Sequence, residues 1–417
     1  MSDPDEKHSK RWKWRMEWLF QTGLEKALGC LPGPVVFRLG GMLGGWVWHV
    51  LPQRRQTVLR NLRIAFCGQY DLPALRCMAR ATFRRTGANL FSAARTGRLA
   101  PEQLGRVIQI ENLELLEDAL AGGKGVVLLL SHMGNWEILS RIVHFFPKGS
   151  RAGAFYRPLN NPLLDASVLK RRQADGTRMF SKRDNPHLVA GFLREGGIVG
   201  ILADQRVGSQ GEIVRFFGRL TRASPLPSLL ARRAKSAVLA LSLTTRGPGK
   251  WSARFVPMGP SHTTADCMLT LEQAMALSPV DVFWFQERWK VYTNPHFTIS
   301  DWLGAEPHGS GRPHRALIWL ADAPAGWRLP EAWLHPDVIY EVVLDPGHSR
   351  PSWLPEFTRT HQAPRGAQLN NLRKLIAAMD WAAALPLDFI IATEASKALA
   401  KACHREGIPL ISLAPTS

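Results

Sequence analysis

Cysteine is scarce in this chain and never spaced for pairing: Cys30, Cys67, Cys77, Cys267 and Cys403 are the only five among 417 residues, and no CxxC occurs. An odd, scattered set excludes a disulfide framework and the familiar zinc patterns. No metal and no cofactor is therefore expected, and a reducing, cytosolic setting fits. Also missing is an uninterrupted apolar run of the ~20 residues that a bilayer-spanning helix needs. The nearest approach, residues 35–51, is glycine-rich (Gly40, Gly41, Gly44, Gly45) and broken by Arg38, leaving a clean run of only about 13 residues. It comes too late for a signal peptide and lacks that peptide's basic start and cleavage pattern. Acidic residues are short as well, with 34 Asp plus Glu against 53 Lys plus Arg and a formal net charge of +19.

That charge is unevenly placed. Residues 301–417 hold 11 Lys plus Arg and 12 Asp plus Glu, so residues 1–300 hold 42 against 22 and carry +20. A field of this sign attracts polyanions: nucleic acid, anionic lipid head groups or an acidic carrier protein. No helix-turn-helix, zinc finger or base-stacking sheet pattern is present, so no nucleic-acid partner is expected.

The N-terminus points to a membrane surface. Lys10-Arg11-Trp12-Lys13-Trp14-Arg15-Met16-Glu17-Trp18-Leu19-Phe20 interleaves cations with indole rings, the composition of a segment lying at the head-group boundary. Arg54, Arg55, Arg60 and Arg63 follow the apolar stretch as a juxtamembrane basic cluster. Residues 1–50 are thus expected to form a membrane-associating segment of a peripheral or monotopic protein on the cytosolic face. A tag-like tail is the alternative.

The densest chemical signal is Ser131-His132-Met133-Gly134-Asn135-Trp136-Glu137. Residues 112–120 are amphipathic, Gly122-Gly123-Lys124-Gly125 ends them, and Val126 to Leu130 reads as a buried parallel strand. The pattern turns helical near Asn135, which puts His132 at a strand-to-helix turn. Positions five apart on a helix at ~100° per residue diverge by ~140°, so His132 and Glu137 meet only if His132 precedes the helix. Gly134 makes such a bend inexpensive. An imidazole held in one tautomer by a carboxylate suits proton abstraction from a hydroxyl near neutral pH; a helix-capping histidine with an incidental glutamate is the plainer alternative. His296 and Asp301 repeat the spacing without a preceding strand, and read as a chance match.

Downstream, strand-like and helix-like segments alternate as in an α/β fold with a mainly parallel sheet. A strand over residues 151–156 ends at Arg157-Pro158, Asn161-Pro162 and Asn185-Pro186 open helices, and a strand over residues 198–203 delivers Asp204-Gln205 to its carboxyl end. A glycine-bearing loop, a helix near residues 225–235 and a strand pair near 237–245 and 252–256 follow. Ligands of such sheets bind beyond the strands' carboxyl ends, so His132, Arg157 and Asp204 could share one cleft. Taken singly, Arg157 is also a solvated strand end and Asp204 a loop cap.

Asn61-Leu62-Arg63-Ile64-Ala65-Phe66, the His132 block, Tyr156-Arg157-Pro158 with Asn161-Pro162, Ala203-Asp204-Gln205, Phe216-Phe217-Gly218 and Trp284 to Trp289 stand in the order and spacing of the bacterial lipid A biosynthesis acyltransferases. The chain resembles that family over roughly residues 18–300. The resemblance implies an α/β fold with a glycerolipid-acyltransferase-like central sheet flanked by helices, over residues 51–305. It also implies transfer of a fatty acyl group from acyl carrier protein, or a coenzyme A thioester, to a hydroxyl of a lipid A precursor or related anionic membrane glycolipid. His132 would be the base, Glu137 its partner, and Arg157 the stabiliser of developing negative charge or the phosphate ligand. Asn135, Asp204 and Gln205 would line the substrate cleft, and no acyl-enzyme is expected. A second possibility is a non-catalytic or glycosyltransferase-associated lipid-binding membrane scaffold.

The tail departs from that pattern. Gly309-Ser310-Gly311-Arg312-Pro313 reads as a linker, and residues 312–417 as a small α/β domain with strands near 316–320, 338–344, 389–392 and 408–413 and helices near 369–384 and 394–403. Its last unit is similar to part of the heptosyltransferase-type glycosyltransferases, but about a hundred residues cannot supply both halves of such an enzyme. A structural or docking role is expected.

Overall fold

The computed structural model describes residues 4–181, 184–208, 211–289, 314–321, 323–324, 326–354, 358–364, 368–393 and 395–413, with side chains from residue 11 onward. His296, Asp301 and the Gly309–Pro313 stretch lie outside them.

Four helices come first: α1 (Pro4–Gly29), α2 (Gly33–Val50), α3 (Pro52–Ala65) and α4 (Leu72–Thr96). The glycines of α2 have a packing cause. A Cβ on Gly40 would stand 2.4 Å from the Gly87 carbonyl oxygen, and one on Gly44 would stand 2.2 Å from that of Phe83, so α2 and α4 meet backbone to backbone. No described helix is long and apolar enough to cross a membrane. Yet α1 and α2 leave large apolar side chains in solvent, among them Trp12, Phe20, Met42 and Trp46, at 61–74% exposure.

The chain then runs through α5 (Pro101–Leu104), β1 (Ile108–Glu111), α6 (Glu114–Ala121), β2 (Val126–Leu130), a 3-10 segment (Trp136–Phe145), β3 (Ala152–Tyr156), α7 (Pro162–Gln173), β4 (Arg178–Ser181), α8 (Pro186–Arg194) and β5 (Ile198–Leu202). A hairpin of β6 (Glu212–Phe216) and β7 (Arg219–Ala223) follows, then α9 (Leu226–Ala234), β8 (Ala237–Gly247), β9 (Lys250–Pro257) and α10 (Thr264–Ala276). The main sheet has the order β1-β9-β8-β2-β5-β3-β4, parallel from β8 to β4, with β9 antiparallel to β8. All five residues of β2 are buried, as an unbroken apolar strand between two covered faces must be, and each such side chain contributes about 1.5–3 kcal/mol. Asn161 and Asn185 cap α7 and α8 through their side chains, with proline at the first helical position.

Residues 314–413 build a second sheet, from β10 (His314–Trp319), β11 (Val338–Leu344), β12 (Arg359–Gln362), α11 (Leu369–Trp381), β13 (Phe389–Ala392), α12 (Lys397–Glu406) and β14 (Leu410–Ser412). Its order β12-β11-β10-β13-β14 is parallel throughout, the doubly wound arrangement. This unit is docked tightly. Arg63 of α3, 1% exposed, donates to the Asp380 carboxylate at 3.3 Å and to the carbonyls of Asp380 and Ala383 at 2.7 Å each. Arg219 of β7 donates to the Leu387 and Asp388 carbonyls, and Leu220 belongs to the C-terminal core.

Candidate active site

β2 and β5 are parallel neighbours with Leu130 opposite Leu202. Residues two places beyond each strand therefore arrive side by side, and these are His132 and Asp204. His132 Nδ1 lies 2.7 Å from Asp204 Oδ1, and the His132 backbone N–H donates to Oδ2 at 3.0 Å. The turn that presents the ring is fixed from several sides. Gly134 has φ 56°, and a Cβ there would stand 2.4 Å from the Leu243 carbonyl oxygen. Its N–H donates to the Asp281 carbonyl at 2.9 Å, and the His132 carbonyl accepts from the Phe283 N–H at 2.7 Å. Asp281 is itself buried and accepts from Thr245 and Asn89.

With Nδ1–H donated to Asp204, Nε2 carries the lone pair and accepts from the exposed Gln205 amide at 3.1 Å. Trp136 packs edge-on against the ring, 5.4 Å between centroids. Burial works against a charged imidazole, but the charge and hydrogen bond of Asp204, with Glu137 adding, outweigh it and hold His132 above its ordinary value of 6.5. Asp204 is held below its ordinary carboxyl value: burial opposes ionisation, and the His132 charge and both hydrogen bonds overcome it.

Sequence spacing pointed to Glu137 as the acid that holds His132. The orienting bond is made by Asp204 instead. Glu137 sits on the 3-10 segment and forms a two-bonded pair with Arg172 of α7, Nε to Oε2 at 3.1 Å and Nη2 to Oε1 at 2.7 Å; its charge reaches His132 through space. The physical reason is the strand register, which delivers Asp204 to Nδ1 directly, while Glu137 begins the next segment and faces the cation of α7. Asn135, expected in the substrate cleft, is 1% exposed and donates to Thr96 Oγ1 at 2.9 Å, tying the turn to α4. Gln205 lies at the open side of the ring. Arg157 follows β3 directly, is exposed, and stands two strands from β2 along the same edge, a lateral step of about 10 Å.

Two cavities meet at the Glu137–Arg172 pair. One, of about 80 Å³, is lined by Leu128, Leu130, Leu139, Ile142, Val143 and Phe146, with Trp136 also in its wall. Ala152, Ala154 and Gly200 line it from the strands, and their small size keeps it open. The second, about 370 Å³, lies between α1, α4 and α7, with Leu24, Leu28, Leu90, Phe91, Leu159 and Arg171 in its walls; it shares Glu137, Ser140 and Arg172 with the first. Among the described residues no His, Cys, Asp or Glu cluster fits a metal ion. Arg172 carries no signal in the sequence, since Lys170-Arg171-Arg172 reads as the ordinary basic last turn of a helix.

Residues 4–291 match the family described as bacterial lipid A biosynthesis acyltransferase. The lipid A biosynthesis lauroyltransferase of Escherichia coli (strain K12) is 23% identical over 270 residues, covering 62% of this chain and 87% of that protein. The parallel β2–β5 edge that brings His132 to Asp204 lies wholly within the matched region, and the chain belongs to the bacterial lipid A biosynthesis acyltransferase family.

Proposed function

We propose that this acyltransferase moves a fatty acyl group from an acyl carrier protein thioester to a hydroxyl of a lipid A precursor or a related anionic glycolipid, at the cytosolic face of the inner membrane. The observation that carries the mechanism is the His132 Nδ1 bond to Asp204, which leaves Nε2 free to act as a base, beside Trp136, whose ring lines the apolar cavity. The acceptor hydroxyl replaces the Gln205 amide at Nε2 and loses its proton there as its oxygen attacks the thioester carbonyl. The carbon–sulfur bond then breaks, and the proton passes from His132 to the departing thiolate. The Asp204 carboxylate balances the imidazolium between these steps.

The apolar cavity, narrow and lined mainly by aliphatic side chains, suits the acyl chain. The α1–α4–α7 groove has the partly exposed Leu24, Leu90 and Leu159 in its walls and suits an acceptor drawn from the bilayer. Arg157 would meet its phosphates or the developing oxyanion. An acidic carrier fits the +20 of residues 1–300. The test is mass spectrometry of glycolipid incubated with purified protein and acyl carrier thioester. Gain of one acyl group, absent with His132→Ala, supports the proposal, whereas equal gain with both proteins removes it.

A further inference from the structure

Arg288 lies behind Asp204 and is 4% exposed. Its Nη1 donates to Thr221 Oγ1 at 3.1 Å and to the Arg222 carbonyl at 3.0 Å, both on β7, and its Cζ stands 4.8 Å from the Phe216 ring centroid. The guanidinium is thereby fixed in place, while Nε and Nη2, both buried, have no hydrogen-bond partner. A small cavity of about 10 Å³ is lined by both Arg288 and Asp204, and Asp204 is the one anionic side chain among its lining residues. A buried guanidinium with two unpaired nitrogens is unfavourable unless a nearby anion compensates it. The same field works in reverse on the anion.

We propose that Arg288 is a positioning residue for acyl transfer: a fixed cation that acts across this cavity to keep Asp204 ionised, and so holds His132 as an Nε2 base. The proposal rests on the assignment of His132 as the base. Burial pushes the Arg288 pKa down to about 10, against the pull of Asp204, so the charge persists at neutral pH. Other charged groups act on the pair. Glu137 and Arg172 face the imidazole, and Arg206 acts on Arg288.

The sign follows from elementary electrostatics. Removing a cation raises the pKa of every acid near it, so Asp204 would take up a proton at higher pH and protonated His132 would lose a repelling neighbour. Both effects move the acid limb of kcat/KM toward higher pH. In the full-length protein, assayed with acyl carrier thioester and glycolipid acceptor, Arg288→Gln is expected to lower kcat by roughly 10–100-fold at pH 7, with donor KM unchanged and the acid limb displaced to higher pH. Arg288→Lys, which keeps the charge, should restore most of the rate and the original limb. A folded Arg288→Gln enzyme with the wild-type limb overturns the proposal, whatever its rate. Thr221→Val provides a second route should Arg288→Gln not fold: it loosens the cation without removing its charge and is expected to lower kcat several-fold, and wild-type kcat in that variant overturns the proposal equally. His132→Ala separates the two levels. Activity in that variant removes the assignment of the base itself, whereas its inactivity beside a wild-type limb in Arg288→Gln removes only the role of Arg288.

Discussion

His132 and Asp204, 72 residues apart in the chain, share two hydrogen bonds, one from the ring at 2.7 Å and one from the His132 backbone N–H at 3.0 Å. The carboxylate therefore fixes the position of the residue as well as its tautomer. Rotation of the ring would have to break the first bond while the second kept the main chain in place.

A pH dependence follows. His132 is held above 6.5 and Asp204 below its ordinary carboxyl value, so the pair keeps the ring protonated to higher pH than a free imidazole would be. The acid limb of kcat/KM should show an apparent pKa above 6.5, with activity lost as pH falls through it. The value belongs to the coupled pair. A limb below pH 6 in the wild-type protein would contradict the assignment.

The apolar cavity should set acyl length. Ala154 lines it from β3 beside Gly200 of β5, so Ala154→Phe fills the space that the chain would occupy. The ratio of kcat/KM for short over long acyl carrier thioesters is expected to rise by at least about tenfold, since each methylene buried is worth about 0.8 kcal/mol. An unchanged ratio would place the acyl chain elsewhere.

Membrane attachment should depend on the exposed face of α1 and α2. Replacing Trp12, Phe20, Met42 and Trp46, all more than half exposed, by serine removes interfacial burial without touching the core. Sedimentation with anionic vesicles is expected to fall, and activity on bilayer-presented acceptor to fall more than on detergent-dispersed acceptor. Raising salt should weaken binding of the unaltered protein too. Equal sedimentation of the two proteins would remove the anchor.

The C-terminal unit, expected from sequence to have a structural or docking role, is packed on the main domain through Arg63, and this sets what a single substitution there should do. Asp380→Ala leaves Arg63 buried without its carboxylate and frees the Leu387 N–H that Asp380 also accepts. A loss of about 3–5 kcal/mol is expected, read by urea denaturation, with kcat of the folded fraction little changed. A loss below 1 kcal/mol would show that the unit is held mainly by other contacts.

Much of this architecture was legible in local pattern. The apolar run of β2, the asparagine–proline starts of α7 and α8, and the strand over residues 198–203 each carry their own signal, and they suffice to place His132 and Asp204 at strand ends. Which strands are neighbours is not a local property. The β2–β5 pairing decides that Asp204 meets Nδ1, and motif spacing instead favoured Glu137, which lies near in sequence and faces Arg172. The segment from Trp136 reads as an α-helix by periodicity and is a 3-10 helix. The roles of Arg172 and Arg288 are not readable for a related reason: Arg172 is one arginine of a basic helix end, Arg288 stands inside the Trp284 to Trp289 block without a signal of its own, and only the fold closes water off from Arg288 and sets Arg172 against a carboxylate.

The most direct test of the His132–Asp204 assignment is the single-turnover rate of Asp204→Asn measured beside Glu137→Gln. An asparagine keeps the size of the side chain but not its charge, and it can present its amide N–H where Nδ1–H must donate, which favours the wrong tautomer. The account predicts a fall on the order of 10³–10⁴-fold for Asp204→Asn with donor binding preserved, and a smaller fall for Glu137→Gln. An Asp204→Asn enzyme within a few-fold of the wild-type rate, beside a Glu137→Gln enzyme without activity, would contradict it and return the orienting role to Glu137.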